Sequence, residues 1–375
     1  MTTWPDWLPI AQRLSGLAPY GAPQVPAQAT LNTNENPFPL SDSLAQSIAQ
    51  RIETVAKALN RYPDRDAVAL RSQLASFINS LSGTTLSEAN IWAANGSNEI
   101  IQSLFLAFGD RGALGFTPSY SMHPLIARVT NTQWSDGQRR PDFSLDCASA
   151  TTQISKMKPS LTFITTPNNP TGGKVDLLEI EQLAQATTGL LVVDEAYAEF
   201  SQEESAVTLI SKYPQIVVIR TMSKAFSFAG ARVGYLVANP AVIEALFLVR
   251  LPYHLSALTQ AAAEVALENQ DELLANVARL VSERERVTQE LEQLGLQVIP
   301  SSANFLLFSG FGIASATLWQ LLLDNGVLIR DVGLSGYLRV TIGSEAENTL
   351  FLSVLTTLLA THSGLSADSN KEIME

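Results

Sequence analysis

At 375 residues, with 46% hydrophobic and 16% charged residues, the chain can bury a large core and is expected to hold two domains. A net charge of −12 argues against nucleic-acid or anionic-membrane partners, and no apolar run approaches the length of a membrane span. The single cysteine, Cys147, rules out an internal disulfide and fits a reducing cytoplasm, and the N-terminus lacks the order of a signal peptide.

Residues 1–30 are rich in proline and alanine and read as an arm lying over the rest. Residues 41–60 form an amphipathic helical pattern. Apolar runs near 91–95, 112–116, 161–165, 190–194, 216–220 and 233–237 then alternate with helical patterns. That alternation predicts an α/β fold, a parallel doubly wound sheet with helices on both faces. Asn239-Pro240 opens a helical stretch, and residues 256–294, broken near 269–271, read as two long helices. The charges of S-E-R-E-R (282–286) read as a solvated helix face. Strands near 297–300, 304–308, 327–330 and 337–342, a helix over 315–325 and a last helix predict a smaller α+β domain. The polar tail 362–375 is expected to fray. The expected division is an arm (1–39) packing with the small domain, a large domain (40–250) and a small domain (251–375). His123, His254 and His362 show no metal-ligand spacing and read as ordinary surface or core residues.

Four segments carry chemistry. In I-W-A-A-N-G-S-N-E-I-I (91–101) a strand ends at Asn95-Gly96 and a helix starts near Ser97. Its free N–H groups and dipole favour a phosphate, with Ser97 and Asn98 adding donors; a merely well-capped helix is the bland reading. Downstream, Tyr120 stands at a strand tip, where it can stack on a flat ring. T-T-P-N-N-P-T-G-G (165–173) makes a rigid turn that can aim the Asn169 amide. In G-L-L-V-V-D-E-A-Y (189–197) Asp194 ends a buried strand, where open α/β sheets bind ligands, and Tyr197 follows three residues on.

The fourth segment, T-M-S-K-A-F-S-F-A-G-A-R-V-G (221–234), sets Lys224 beside Ser223, with Thr221 before them and Arg232 eight positions after the lysine. An amine flanked by anion-binding groups suits a Schiff base with a phosphorylated aldehyde, and pyridoxal phosphate (PLP) is that cofactor. Asp194 then suits its pyridine nitrogen, and Asn169 and Tyr197 its phenolic oxygen. Farther on, Arg330 ends V-L-I-R and Arg339 lies inside L-R-V-T-I. Arginines flanked by apolar strand residues are costly to bury unless an anion pairs with them.

Together these segments resemble the fold-type I PLP aminotransferases, over about residues 31–343. Within them the strings L-N-T-N-E-N-P (31–37), R-Y-P (61–63), T-P-N-N-P-T-G (166–172), V-D-E-A-Y-A-E-F (193–200), R-T-M-S-K-A-F (220–226), A-G-A-R-V-G-Y (229–235) and L-P-Y-H-L-S (251–256) are most similar to the histidinol-phosphate aminotransferases. G-V-L-I-R-D (326–331) and L-R-V-T-I-G (338–343) continue the pattern. The resemblance implies transamination of L-histidinol phosphate with 2-oxoglutarate, giving imidazole-acetol phosphate and glutamate in a ping-pong cycle through Lys224. It implies that Arg339 and Arg330 bind the substrate's anionic group and that Tyr20 contacts substrate. It also implies a homodimer, with Tyr62 reaching the cofactor phosphate of the neighbouring subunit. An aromatic aminotransferase and a threonine-phosphate decarboxylase are the alternatives. A transcription-regulator effector domain would need a DNA-binding module that residues 1–30 are too short to supply. The sequence departs from the family at G-S-N (96–98), where many members have G-A-D.

Overall fold

A computed structural model describes residues 4–362, so the expected fraying of the tail lies outside the described residues apart from the helix end at His362. In chain order the elements are β1 (Ala29–Thr30), α1 (Asp42–Ala56), α2 (Val68–Ser82), β2 (Ile91–Ala94), α3 (Ser97–Phe108), β3 (Ala113–Thr117), α4 (Met122–Val129), β4 (Trp134–Gln138) and α5 (Cys147–Met157). Then follow β5 (Leu161–Thr165), α6 (Leu177–Ala186), β6 (Leu190–Asp194), β7 (Ile216–Thr221), β8 (Gly234–Ala238), α7 (Pro240–Leu246), α8 (Ala257–Glu268) and α9 (Gln270–Gln293). The chain closes with β9 (Gln297–Val298), β10 (Phe305–Ser309), α10 (Ser315–Asp324), β11 (Val327–Leu328), β12 (Tyr337–Thr341) and α11 (Glu345–His362).

The main sheet has seven strands in the order β2-β8-β7-β6-β5-β3-β4. Alternate residues of β2, β6 and β7 enter two different cores. Ile91, Ala93, Leu191, Val193, Ile216 and Val218 pack on one face, whereas Trp92, Ala94, Val192, Val217 and Ile219 pack on the other. Burial on both faces is why these strands read as unbroken apolar runs.

Two features differ from the expectation. β8 is antiparallel to both its neighbours, β7 and β2. A parallel return needs a crossover helix, but residues 222–233 form a loop with Ser227 and Arg232 in the left-handed region (φ 55° and 56°). The chain therefore turns straight back as a wide hairpin, and that hairpin carries Lys224. The remaining strands β2 to β7 run parallel. The second difference is β4, an edge strand reading W-S-D-G-Q, which is too polar to stand out as an apolar run.

The smaller sheet is antiparallel, β12-β10-β9, with Leu307 opposite Arg339. β1 pairs in parallel with β11, and Leu31 continues the pairing: its N–H donates to Leu328 O at 2.7 Å and its carbonyl accepts from Thr341 N–H at 2.9 Å. The segment after the arm is thus stitched between β11 and β12. Earlier in the arm, Arg128 donates to Arg13 O (2.7 Å) and Ser15 O (2.6 Å). The S-E-R-E-R segment is only partly a solvated face. Arg284 turns inward and donates to Ala303 O at 2.8 Å and Phe200 O at 3.3 Å, satisfying carbonyls that no backbone N–H reaches.

Beneath the sheet's carboxyl edge lies a buried ionic group. Arg220 on β7 donates to Glu195 Oε2 (Nε at 2.9 Å) and to Glu199 Oε1 (3.0 Å), and Glu195 also accepts from Ser205 Oγ and Ala206 N–H. Burial pushes the Glu199 carboxyl above its usual range, against the pull of Arg220. Removing one member of such a group strands a buried charge. Glu195→Ala should therefore cost about 3–5 kcal/mol in urea denaturation; a loss below about 1 kcal/mol would show that Arg220 needs only Glu199.

Candidate active site

Because β2, β3, β5, β6 and β7 run parallel, their carboxyl ends open onto one edge, where the segments carrying the candidate residues converge. The cleft there has a volume of about 480 Å³. It is lined by Tyr20, Ser97, Asn98, Tyr120, Asn169, Asp194, Tyr197, Thr221, Ser223, Lys224, Arg232, Arg330 and Arg339, so thirteen of the fourteen expected residues share one cavity. The exception is Tyr62, which is 79% exposed and stacks on Tyr253, with ring centroids 4.4 Å apart.

One end of the cleft is built for an anion. Gly96, at φ 80°, caps α3, and a Cβ on it would strike the guanidinium of Arg232. A Cβ at Gly234 would meet the Gly96 carbonyl carbon and Ser97 N at 2.5 Å. Two glycines therefore let the α3 N-terminus and the β8 hairpin close together. Arg232 Nη1 donates to Ser223 Oγ at 3.4 Å, and the Thr221 hydroxyl, with Ser223 Oγ at 3.0 Å and Val233 O at 3.2 Å as acceptors for its one proton, lies beside it. Free helix N–H groups, hydroxyls and a guanidinium make a phosphate cradle.

The centre holds Lys224. Its Nζ donates to Thr33 O at 2.9 Å. Burial, then the charge of Arg339, lowers its ammonium to about 8, with Glu35 opposing and Arg232 adding. An amine so placed is a nucleophile near neutral pH.

Around it, Asp194 Oδ1 accepts from Ala196 N–H at 3.2 Å, and Oδ2 lies 3.2 Å from His123 Nε2. Tyr197 Oη accepts from Asn34 Nδ2 (2.9 Å) and Asn169 Nδ2 (3.3 Å), so its own proton remains free to donate. Burial pushes both the Tyr197 and Tyr120 phenols up, and Tyr120 donates to Asn98 Oδ1 at 3.1 Å.

The other end is cationic. Arg330 and Arg339 form a two-bond backbone bridge, 2.9 Å in each direction. Arg339 is buried and pairs with neutral acceptors, Asn169 Oδ1 at 2.6 Å and Asn32 O at 2.9 Å. Its Nε has no partner, and burial with the nearby Arg330 charge lowers its pKa to about 10.

Sequence reasoning missed two participants. His123, which by its sequence is an ordinary surface or core residue, is buried between Asp194 and the rings of Tyr120 and Phe163. Nothing in its local string announces this, since Asp194 lies 71 positions away. The L-N-T-N-E-N-P segment (31–37) carries the family resemblance but shows no site role in sequence. In the fold it brings Thr33, Asn34 and Glu35 into the cleft. Asn34 stands at φ 56° and is tied to Tyr197, Thr341 and Asn304.

Residues 26–355 match the family described as aminotransferase class I and II. The chain belongs to that family. The histidinol-phosphate aminotransferase of Mycobacterium sp. (strain JLS) is 55% identical over 358 residues, covering 94% of this chain and 95% of that protein. The crystal structure of histidinol-phosphate aminotransferase from Sinorhizobium meliloti in complex with pyridoxal-5'-phosphate superposes with a TM-score of 0.83 at 24% identity, covering 94% of this chain and 98% of that one. L-threonine-O-3-phosphate decarboxylase from Porphyromonas gingivalis has the same fold, with a TM-score of 0.74 at 24% identity over 88% of this chain and 99% of that one. The fold is therefore fold-type I, α/β with a mostly parallel sheet, and the fold by itself does not choose the reaction. Among the described residues no helix is long and apolar enough to cross a membrane.

The lowered pKa of Lys224 has a direct consequence. In the cofactor-free protein its acylation rate should rise with pH through an inflection near 8, because only the neutral amine reacts. Peptide mass spectrometry after timed labelling measures this, and an inflection at the ordinary lysine value of about 10.4 would contradict the buried, cation-flanked amine.

Proposed function

We propose that this protein is a PLP-dependent aminotransferase that interconverts L-histidinol phosphate and imidazole-acetol phosphate, a step of histidine biosynthesis. Glutamate and 2-oxoglutarate serve as the second pair. The observation that carries the reading is the 55% identity, across nearly both whole chains, to a histidinol-phosphate aminotransferase. The chemistry of the cleft supports it: a phosphate cradle, an amine of lowered pKa and a second anion pocket lie in one cavity.

The residues fit the cofactor. In this reading Ser97, Asn98, Thr221, Ser223 and Arg232 hold its phosphate, Tyr120 covers the ring, and Asn169 and Tyr197 donate to its phenolic oxygen. Asp194, steadied by His123, holds a proton on the ring nitrogen. When bound, PLP supplies an aldehyde for the amine and a sink for electrons. Lys224 Nζ would take the proton from the substrate's α-carbon as general base and, as general acid, would deliver it to the cofactor carbon that carried the aldehyde. Arg339, with Arg330 beside it, binds the substrate phosphate in one half-reaction and a glutamate carboxylate in the other. Tyr20 closes over the substrate.

The same reading assigns residues 40–250 to cofactor binding, 251–375 to a smaller domain and 1–39 to an arm. It also includes a cytoplasmic homodimer in which Tyr62 of the partner subunit completes the phosphate site. Support for a dimer comes from the exposed apolar side chains Leu248, Leu251 and Tyr62, 86%, 73% and 79% exposed.

Adding L-histidinol phosphate to the holoenzyme without keto acid should bleach the cofactor's Schiff-base absorbance and yield pyridoxamine phosphate at micromolar substrate. Conversion by phenylalanine or tyrosine alone would move the protein to the aromatic aminotransferases, and release of carbon dioxide from threonine phosphate would make it a decarboxylase. Arg339→Ala should raise KM for both histidinol phosphate and glutamate by about tenfold or more, the value of a charge-assisted bond. Steady-state kinetics check this, and an unchanged KM for both removes Arg339 from the pocket.

A further inference from the structure

Among the described residues three carboxylates line the cleft: Glu35, Asp194 and Asp331. Two are engaged. Asp194 faces His123 and caps Ala196, and Asp331 Oδ1 accepts from Gly333 N–H at 2.8 Å. Glu35 has no hydrogen bond and no ion pair among the described residues, although Lys224, Arg232, Arg330 and Arg339 share its cavity.

Its backbone is nevertheless fixed on both sides. Before it, Thr33 O accepts from Lys224 Nζ, and the left-handed Asn34 (φ 56°) bonds to Tyr197, Thr341 and Asn304. After it, Asn36 Nδ2 donates to Ala225 O at 3.3 Å and Asn36 Oδ1 accepts from Phe38 N–H at 3.1 Å. Non-glycine residues persist at positive φ where surrounding contacts over-determine them, and such positions gather at ligand sites. An exposed carboxylate without a hydrogen bond, whose charge opposes the lowering of the Lys224 pKa, is thus carried by a rigid segment at a cleft whose remaining charges are mostly positive.

The inference rests on the aminotransferase reading above. In that reading the substrate's amine goes to the cofactor and its phosphate to Arg339 and Arg330. Its imidazole is left, a ring that donates N–H and is partly cationic near neutral pH. Glutamate brings no ring and a second negative charge, which a carboxylate repels. We propose that Glu35 selects the imidazole-bearing substrate, its carboxylate accepting the ring N–H.

The test compares the two half-reactions of the holoenzyme, with L-histidinol phosphate and with glutamate, in the parent protein, Glu35→Gln and Glu35→Asp. Glu35→Gln should lower the ratio of their kcat/KM values about tenfold or more, the worth of a hydrogen bond to a charged group. The loss should lie in KM for histidinol phosphate, and it should shrink as pH rises past about 6.5, where the ring loses its charge. Glu35→Asp should recover part of the ratio. An equal fall in both half-reactions would make Glu35 a general support of the site and overturn the proposal, as would a ratio within about threefold of the parent's. A parent protein that reacts with glutamate but not with histidinol phosphate would overturn the substrate reading itself, and this inference with it.

Discussion

Arg339 is a buried guanidinium with no carboxylate to pair with among the described residues, and much of the cleft is arranged around that fact. A buried cation is costly unless its N–H groups are satisfied, and here neutral acceptors do most of the work. Asn169 on the β5 turn supplies a side-chain oxygen and Asn32 a backbone carbonyl, while Nε stays unsatisfied. The consequence runs both ways. The uncompensated charge favours an anionic ligand, and its field helps bring the Lys224 ammonium down to about 8, so that a larger fraction of the amine is neutral near physiological pH than for an ordinary lysine. A carboxylate placed against Arg339 would relieve the cost of burial and remove both effects.

The contacts of Arg339 also knit distant parts of the chain. Its strand belongs to the small sheet, Asn169 to the turn after the main-sheet strand β5, and Asn32 to the segment just after β1. Asn34 repeats the pattern two residues later, reaching Tyr197 on one side and Thr341 and Asn304 on the other. Residues 29–34 thus act as a seam joining the two sheets at the cleft. A ligand anion bound by Arg339 would draw on the same seam, which couples substrate binding to the position of the segment presenting Glu35.

Behind the cleft, the Glu195–Arg220–Glu199 group holds the loop after β6 against β7. Asp194 ends β6 and Tyr197 lies on that loop, and Lys224 follows Arg220 by four positions. Paired buried charges are a poor source of net stability. Their value here is positional, because they set the spacing between a carboxylate, a phenol and an amine that must meet around one ligand.

Much of this was legible in the chain alone. The strands β2, β3, β5, β6, β7 and β8 are legible as apolar runs alternating with helical patterns, and the helices α8 and α9 as two long helices broken near Asn269. Lys224, Asp194, Asn169, Ser223 and Arg232 stood out because each follows or precedes a buried strand, within motifs whose residue types suit one cofactor. These are local properties, and local sequence encodes them. The reversal of β8, the edge strand β4, the burial of His123 on Asp194 and the entry of Asn34 and Glu35 into the cleft were not local. Each depends on which segments the fold lays side by side: 71 positions separate His123 from Asp194, and 307 separate Asn34 from Thr341. Sequence by itself determined the chemical groups and the strand ends that bear them. Only the tertiary structure decided which groups share a cavity, because burial, field and hydrogen bonding are set by neighbours in space.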